Sequence, residues 1–186
     1  MAGIRQPASR APLIAALERH TPFDTHEAAM LARILDFVRT HEDCFERSLQ
    51  LGHVTGSAWI VDTKRTHALL THHAKLNKWL QPGGHCDGDG DVACVAMREA
   101  EEETGLTGLR LFADSIFDVD AHEIPARGHE PAHIHYDIRY LIETPLDAPL
   151  TLSEESHELA WVRLVEIERL NTDASVLRMV ARTLAH

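Results

Sequence analysis

The sequence predicts an α+β fold in which helices precede a domain built around a β-sheet. Apolar residues before residue 50 recur with helical spacing, whereas from residue 53 onward short strand-like apolar segments lie on both sides of one helix. The composition supports a globular domain with a full core, because 44% of the 186 residues are hydrophobic and 25% are charged.

The predicted elements divide the chain in two. Residues 10–19 and 26–40 are predicted helices, the second with Thr25 as its N-cap. Strands are predicted over residues 54–61, 68–72, 109–119, 133–142 and 159–164, and further helices over residues 92–103 and 173–184. We therefore expect an N-terminal helical extension, residues 1–50, packed on a main domain, residues 51–186.

The helix predicted over residues 92–103 carries three glutamates on one face. It lacks Gly and Pro, and it stops at Gly105, a residue type common just after a helix ends. Glu99, Glu102 and Glu103 are spaced i, i+3 and i+4, so their carboxylates lie together. The apolar positions expected on the inward side are Val92, Val95, Ala96 and Ala100.

A carboxylate cluster near the C-terminus of a helix is unfavourable, because the charges repel one another and the helix dipole, and a cation relieves both effects. Hard divalent ions such as Mg2+ or Mn2+ take oxygen ligands and are often shared between carboxylates and substrate phosphates. The pattern therefore predicts phosphate chemistry at this face. The alternative is an acidic helix face that contacts only water.

The glycine pair that precedes this helix is the second part of the pattern. Gly83 and Gly84 lie within residues 79–85, and glycine permits both positive φ and a close approach of the backbone to a ligand. We predict a turn that leads into the helix and places Gly84 near a ligand. The alternative is a tight turn that only redirects the chain.

From Gly84 to Leu106 the sequence resembles the Nudix box, G-x5-E-x7-R-E-U-x-E-E-x-G-U, in which U is apolar. Every fixed position matches except one, since Gly90 stands where the family has its first glutamate. The resemblance covers about residues 53–170 and implies a Nudix-type α/β/α sandwich with a mixed sheet. It also implies metal-dependent hydrolysis of a nucleoside or other organic diphosphate.

The resemblance implies a role for each matching residue. The carbonyl of Gly84 and the carboxylates of Glu99, Glu102 and Glu103 are expected to hold Mg2+ or Mn2+. Arg98 is expected to position Glu99, which can serve as the general base.

The departure at Gly90 bears on how many metal ions bind. Asp87, Asp89 and Asp91 surround this glycine, so one of them could supply the missing carboxylate or could cap the helix. Capping by Asp89 or Asp91 is the favoured interpretation.

Two later segments contain further candidates. Arg127 lies where Nudix enzymes carry a loop that contacts the non-phosphate part of the substrate, and its planar guanidinium suits a phosphate group. Glu155 and Glu158 lie in a segment similar to the acidic loop that completes the site in the family, as a ligand or as the general base. For Arg127 an exposed loop position is an equal alternative, and between the two glutamates the sequence does not choose.

Histidines suggest a second site. His53 precedes the first strand and His85 follows the glycine pair, while His133 and His135, spaced i and i+2, share one face of a strand. These positions loosely resemble the metal ligands of isopentenyl-diphosphate isomerases, which share the Nudix fold. One interpretation is therefore a transition-metal site, since imidazole suits Mn2+, Fe2+ or Zn2+ better than Mg2+. Alternatively, His133 and His135 contact the substrate, or the histidines are unrelated surface and core residues.

Three functions remain open at this point. The intact Arg98-Glu99 and Glu102-Glu103 pairs favour a pyrophosphohydrolase. An isomerase-like metal enzyme and a sensor that binds a diphosphate without hydrolysing it are the alternatives.

Charge and composition limit the partners. A formal net charge of −11 argues against long nucleic acid, which needs clustered basic residues, but not against a small diphosphate that arrives with its metal. The sequence has no apolar run long enough for a membrane span. Cys44, Cys86 and Cys94 lack zinc-type spacing and suggest reduced thiols in the cytoplasm. The oligomeric state is not indicated.

Overall fold

The computed structural model describes residues 8–74, 76–129, 131–153 and 156–185. The elements in chain order are α1 (Ala11–Arg19), α2 (Thr25–Thr40), β1 (Gly52–Asp62), β2 (His67–His73), β3 (Lys78–Leu80), β4 (Gly83–His85), α3 (Val92–Thr104), β5 (Asp118–Ile124), β6 (His133–Thr144), β7 (Ser156–Arg163), a 3-10 helix (Leu164–Arg169) and α4 (Ala174–Leu184).

The strands form a mixed sheet centred on β1. Strand β6 runs parallel to β1 along its whole length, from the pair Gly52 and Ile134 to the pair Asp62 and Thr144. Strand β5 is antiparallel to β6. The other edge of β1 is shared, because β4 pairs with its middle and β2 with its end, and β2 also pairs with β3 and β7. The predicted mixed sheet is confirmed.

Alternate residues of β1 face two different helices. Ala58 and Ile60 pack with Ala100 of α3, whereas Trp59 and Val61 pack on the opposite face with residues of α4. The indole Nε1 of Trp59 donates a hydrogen bond of 2.9 Å to the hydroxyl of Thr183. This alternation follows from the two-residue period of a strand and gives the predicted α/β/α layering.

The N-terminal helices share a core with the sheet domain. Leu13, Leu17, Ile34 and Phe37 are buried in one cluster with residues of β1, α3, β5 and β6. The N-cap of α2 is Asp24, whose carboxylate accepts a hydrogen bond from the backbone N–H of residue 27, so the prediction of Thr25 as N-cap was wrong by one position.

A buried carboxylate also joins α2 to the rest of the fold. Glu27 is fully buried, and its oxygens accept hydrogen bonds from the backbone N–H groups of Phe23 and Val119. They also lie 2.7 Å from Nε2 of His20 and 3.1 Å from Nη1 of Arg182. Burial opposes ionisation of this carboxyl, but the hydrogen bonds and the positive charge around it hold the pKa of Glu27 below its ordinary value.

One predicted strand is largely absent. Between residues 109 and 117 only an isolated bridge from Leu111 to Ile142 is present, and β5 starts at Asp118. The side chains of Leu109 and Leu111 pack against the core, but their backbone is not part of a β-strand. The side chain of Phe112 is 55% exposed. Their spacing therefore suggested a strand although the backbone does not form one.

The short strands β3 and β4 were missed because three residues each give no periodic signal. The last helix and the last two long strands lie close to their predicted positions. Within the described residues, no helix is both long and apolar enough to cross a bilayer.

Candidate functional site

Helix α3 is defined at both ends by its own sequence. The carboxylate of Asp91 accepts a hydrogen bond of 3.1 Å from the backbone N–H of Cys94, which confirms the capping interpretation for Asp91. Gly105 ends the helix with a φ of +71°, in the left-handed region that favours glycine. The four apolar residues predicted to face inward are all buried: Val92, Val95, Ala96 and Ala100.

The glycine pair is needed for close approach and not for a turn. Gly83 and Gly84 form β4, and neither has a positive φ. A Cβ atom at Gly84 would lie 2.2 Å from Oε2 of Glu99, and one at Gly83 would lie 2.1 Å from Oγ of Ser57. The predicted turn is therefore a short strand, and Gly84 is a glycine because the Glu99 carboxylate lies against its Cα.

Hydrogen bonds hold two of the three glutamates against β4. Nη2 of Arg98 donates to Oε1 of Glu99 at 3.0 Å and to the carbonyl of His85 at 3.1 Å, and the hydrogen bond to Glu99 raises the pKa of Arg98. The backbone N–H of Gly83 donates to Oε1 of Glu103 at 2.8 Å. Arg98 thus orients Glu99 while bridging α3 to β4.

The third glutamate is open to solvent. The side chain of Glu102 is 64% exposed, and its Oε1 lies 3.9 Å from Nε of Arg98. Arg98 therefore pairs with two of the three carboxylates, those of Glu99 and Glu102. The three carboxylates form an oxygen-only donor set, which fits a hard divalent cation.

The N-terminal segment covers Gly90. A Cβ atom at Gly90 would lie 3.0 Å from Cβ of Ala8 and 3.2 Å from the carbonyl of Ser9, so a glutamate at this position would require the N-terminal segment to shift by a few tenths of an ångström. The position at which the sequence departs from the Nudix box is therefore the position that the N-terminal segment covers.

The three aspartates around Gly90 each have a local partner. Asp87 forms a two-pronged ion pair with Arg47, at 2.5 and 2.9 Å, Asp89 accepts from the N–H of Asp91, and Asp91 caps α3. These contacts favour structural roles over a shifted carboxylate ligand.

The predicted histidines converge on the sheet face opposite α3. In the ladders His53 lies directly beside His135, and His85 lies opposite Thr55. The ring centroid of His53 lies 5.0 Å from the ring centroids of His85 and His133 and 4.9 Å from that of His135. The ring centroids of His85 and His135 are 5.1 Å apart. Four residues that are distant in sequence therefore form one imidazole cluster.

Two of these imidazoles have a lowered pKa. His53 is 3% exposed, and neither of its ring nitrogens has a hydrogen-bond partner in the described part of the chain. Burial, together with neighbouring imidazoles, lowers the pKa of His53 to about 4 and that of His135 to about 2, so both rings are neutral at pH 7.

Strand β4 lies between the two groups. The backbone N–H of Gly83 and the carbonyl of His85 bond to side chains of α3, whereas the ring of His85 contacts the histidine cluster. The glutamate face and the histidine cluster are therefore neighbours that share one three-residue strand.

A buried charged network continues the polar face behind the histidines and was not predicted. Asp137 accepts from the hydroxyls of Thr55 and Ser57, at 2.9 and 2.7 Å, and from Nε of Arg139 at 2.7 Å. Burial opposes ionisation of Asp137, but the charge of Arg139 and these hydrogen bonds hold its pKa below its ordinary value. Arg139 also donates to Asp118, at 2.9 Å.

The sequence contained a signal for this network. Polar residues at i and i+2 continue from His133 and His135 to Asp137 and Arg139, and a similar series runs through Asp118, Asp120 and His122 in β5. Two neighbouring strands with polar residues on the same face indicate a polar cleft and not a sandwich core.

The remaining candidates are placed as follows. Arg127 is exposed in the segment between β5 and β6. Glu158 is exposed on β7, opposite His72 in the ladder, and Glu155 lies outside the described residues. The contacts described for α3 and β4 involve neither Arg127 nor Glu158.

Comparisons with known proteins identify a family for most of the chain. The sequence profile of the NUDIX domain family matches residues 52–182. No match was found among the curated proteins.

Solved structures show the same fold at low sequence identity. A C. elegans Ap4A hydrolase has a TM-score of 0.57 and 20% identity, covering 71% of this chain and 95% of that one. The E. coli dihydroneopterin triphosphate pyrophosphohydrolase has a TM-score of 0.57 and 13% identity, covering 72% and 96%. The M. smegmatis Nudix hydrolase RenU has a TM-score of 0.54 and 19% identity, covering 72% and 85%. Because the family profile matches more than half of this chain, the chain belongs to the NUDIX domain family.

Proposed function

We propose that the protein hydrolyses a nucleoside diphosphate or another organic diphosphate in a reaction that depends on Mg2+ or Mn2+. The family match over residues 52–182 makes it a Nudix hydrolase that acts on pyrophosphate bonds. The substrate class, the metal and the role of each residue are our proposal.

The observation that carries the proposal is the contact between α3 and β4. Glu99 lies against the Cα of Gly84, Arg98 bonds to Glu99 and to the backbone of β4, and Glu103 accepts from Gly83. Hydrogen bonds so dense around acidic side chains fix their oxygens in place, which is what a site needs in order to bind a cation and a diphosphate in one geometry.

The residues take different roles in this proposal. Glu99, Glu102, Glu103 and the carbonyl of Gly84 hold the divalent ion, which supplies charge neutralisation of the phosphates and activation of water. Arg98 is a positioning residue that keeps the Glu99 carboxylate pointed at β4.

A carboxylate accepts the proton from the attacking water. Glu99 is the candidate that the geometry of α3 and β4 supports, and Glu155 and Glu158 are the alternatives on the acidic segment. Arg127 is proposed to contact a phosphate. His133 and His135 are proposed either to contact the rest of the substrate or to belong to a metal site in the histidine cluster. We also propose a cytoplasmic location, because all three cysteines are free thiols.

A substrate screen tests the proposal. The purified chain is incubated with nucleoside diphosphates, sugar nucleotides, Ap4A and dihydroneopterin triphosphate, with Mg2+, Mn2+ or chelator, and phosphate-containing products are quantified. We expect turnover of at least one compound with metal and none with chelator. Tight binding of a diphosphate without any product would instead support the sensor alternative.

The histidine cluster favours one second candidate, an isomerase-like metal enzyme. The same screen should therefore include isopentenyl diphosphate, and its products should be analysed by mass and by NMR. A product of unchanged mass with a shifted double bond would support isomerisation, whereas released phosphate supports hydrolysis.

A further inference from the structure

The histidine cluster has features that packing alone does not explain. Two nitrogens of His53 are buried without a hydrogen-bond partner in the described residues. A buried polar atom without a hydrogen bond destabilises the folded state, whereas an apolar side chain of similar size would fill the same space without this cost. Metal coordination would satisfy at least one of the two nitrogens.

The geometry of the cluster suits one ion. His53, His85 and His135 each offer a ligand atom, and these atoms all lie within 4.8 Å of one another. Nitrogens bonded to a tetrahedral ion at about 2.0–2.1 Å are about 3.3–3.4 Å apart, so the ligand atoms would need to approach one another by at most about 1.5 Å. His85 and His135 are only partly buried.

His133 is placed to orient one of these ligands. Its Nδ1 lies 2.9 Å from the carbonyl of Pro131, which can only accept, so Nδ1 carries the proton and Nε2 carries the lone pair. Nε2 of His135 lies 3.2 Å away and can donate to it, which leaves the lone pair of His135 on its other nitrogen, Nδ1. Metal-binding histidines characteristically donate their second ring N–H in this way.

We propose that His53, His85 and His135 bind one late first-row divalent ion, such as Zn2+ or Co2+, with His133 as the residue that orients His135. The donors are imidazoles only, which favours these ions over Mg2+. The site goes beyond the proposed hydrolysis, because it lies on the sheet face opposite α3 and uses none of its carboxylates.

A Co2+ titration tests this site without relying on activity. The full chain is stripped of metal, supplied with excess Mg2+ to occupy the carboxylate face, and titrated with Co2+ while the visible absorption of bound Co2+ is recorded. We expect one equivalent to bind and Zn2+ to displace it. Absence of Co2+ binding under these conditions would overturn the proposal.

Variants assign the ligands. His53→Leu keeps the cluster filled and removes the two unsatisfied nitrogens, so its metal-free melting temperature should equal or exceed that of the wild type while Co2+ binding is lost. His85→Gln and His135→Gln should weaken Co2+ binding more than 100-fold, and His133→Gln by about 10–100-fold, the range for residues that orient a ligand. Wild-type affinity in folded His53→Leu and His85→Gln would contradict the assignment.

Two controls separate this site from the hydrolase site. His129→Gln, which changes an exposed histidine outside the cluster, should bind Co2+ like the wild type. Glu102→Gln should lose hydrolysis yet retain the Co2+ signal. Loss of the Co2+ signal in Glu102→Gln would place the ion on α3 and overturn the histidine site while leaving the proposed hydrolase intact.

Discussion

Replacing Gly84 with alanine should disable the site without unfolding the protein. The added Cβ would lie 2.2 Å from Oε2 of Glu99, whereas ordinary contact starts at about 3.4 Å, so the carboxylate must move by about 1.2 Å. Because Gly84 does not have a positive φ, alanine can adopt its backbone conformation without strain. The strain is therefore relieved by moving the Glu99 side chain, away from the place where Arg98 holds it.

A displacement of about 1 Å at a reacting group can lower the rate about 100-fold. We expect kcat/KM of Gly84→Ala to fall by about that factor, which corresponds to about 2.7 kcal/mol of transition-state stabilisation. The free energy of unfolding should change by less than about 1 kcal/mol, since Gly to Ala at an unstrained position also restricts the unfolded chain.

Steady-state kinetics on a substrate found by the screen, with urea denaturation in parallel, measure both quantities. Gly108→Ala is the matched control: Gly108 has a φ of +66° and open space around its Cβ position, so alanine there should cost about 1 kcal/mol of stability and leave kcat/KM unchanged. A folded Gly84→Ala protein with wild-type kcat/KM would refute the assigned role of the Glu99 position.

Two further substitutions test how the N-terminal extension is joined to the domain. Gly90→Glu restores the residue of the Nudix box. It should lower the melting temperature and should not raise kcat/KM, because the new Cβ atom would lie 3.0 Å from Cβ of Ala8. A variant with higher kcat/KM and unchanged melting temperature would show that the extension does not constrain this position. Glu27→Gln should lose about 3 kcal/mol at pH 7, because the buried charge beside Arg182 is left without its partner. Since the pKa of Glu27 is lowered in the folded state, its contribution is present above the unfolded pKa of about 4.5 and is lost as pH falls through the lower folded pKa. The stability difference between wild type and Glu27→Gln in urea denaturation should therefore shrink progressively as pH falls below about 4.5, and a constant difference would contradict the assignment.

Helix α3 could be predicted from the sequence because every signal for it is local. Its cap, its apolar period, its stop at Gly105 and the spacing of Glu99, Glu102 and Glu103 all lie within fifteen residues. The structure agrees with each of them. What local signals do not contain is the contact of Glu99 with Gly84, since that depends on how β4 packs against the helix.

The polar side of the sheet was harder to predict because it depends on strand register. That His53 and His135 lie side by side follows from the parallel pairing of β1 with β6, which no spacing within either strand specifies. Strand β5 was assigned too early in the chain because Leu109 and Leu111 are apolar, while its true residues, such as Asp120 and His122, face the polar cleft. Residues 118–121 do alternate between polar and apolar side chains, which is the usual signal of a strand, so the correct segment carried a signal that the apolar residues upstream outweighed.

The covering of Gly90 by the extension also lay beyond the sequence pattern. A missing glutamate in an otherwise matching motif indicates a changed site, but only the packing of Ala8 and Ser9 shows that a side chain at position 90 would be in tight contact with the N-terminal segment. Of the neighbouring aspartates, Asp91 caps the helix as the sequence predicted.

The most direct measurement compares Glu102→Gln with Glu101→Gln. Both glutamates are exposed on α3 and both changes remove one charge, but Glu102 lies on the same face as Glu99 whereas Glu101 points away from it. With Mg2+ and an identified diphosphate substrate, we expect Glu102→Gln to lower kcat/KM about 100-fold or more and Glu101→Gln to leave it within about twofold of the wild type. Equal activity of the two variants would contradict the claim that the carboxylates of α3 carry the metal-dependent hydrolysis.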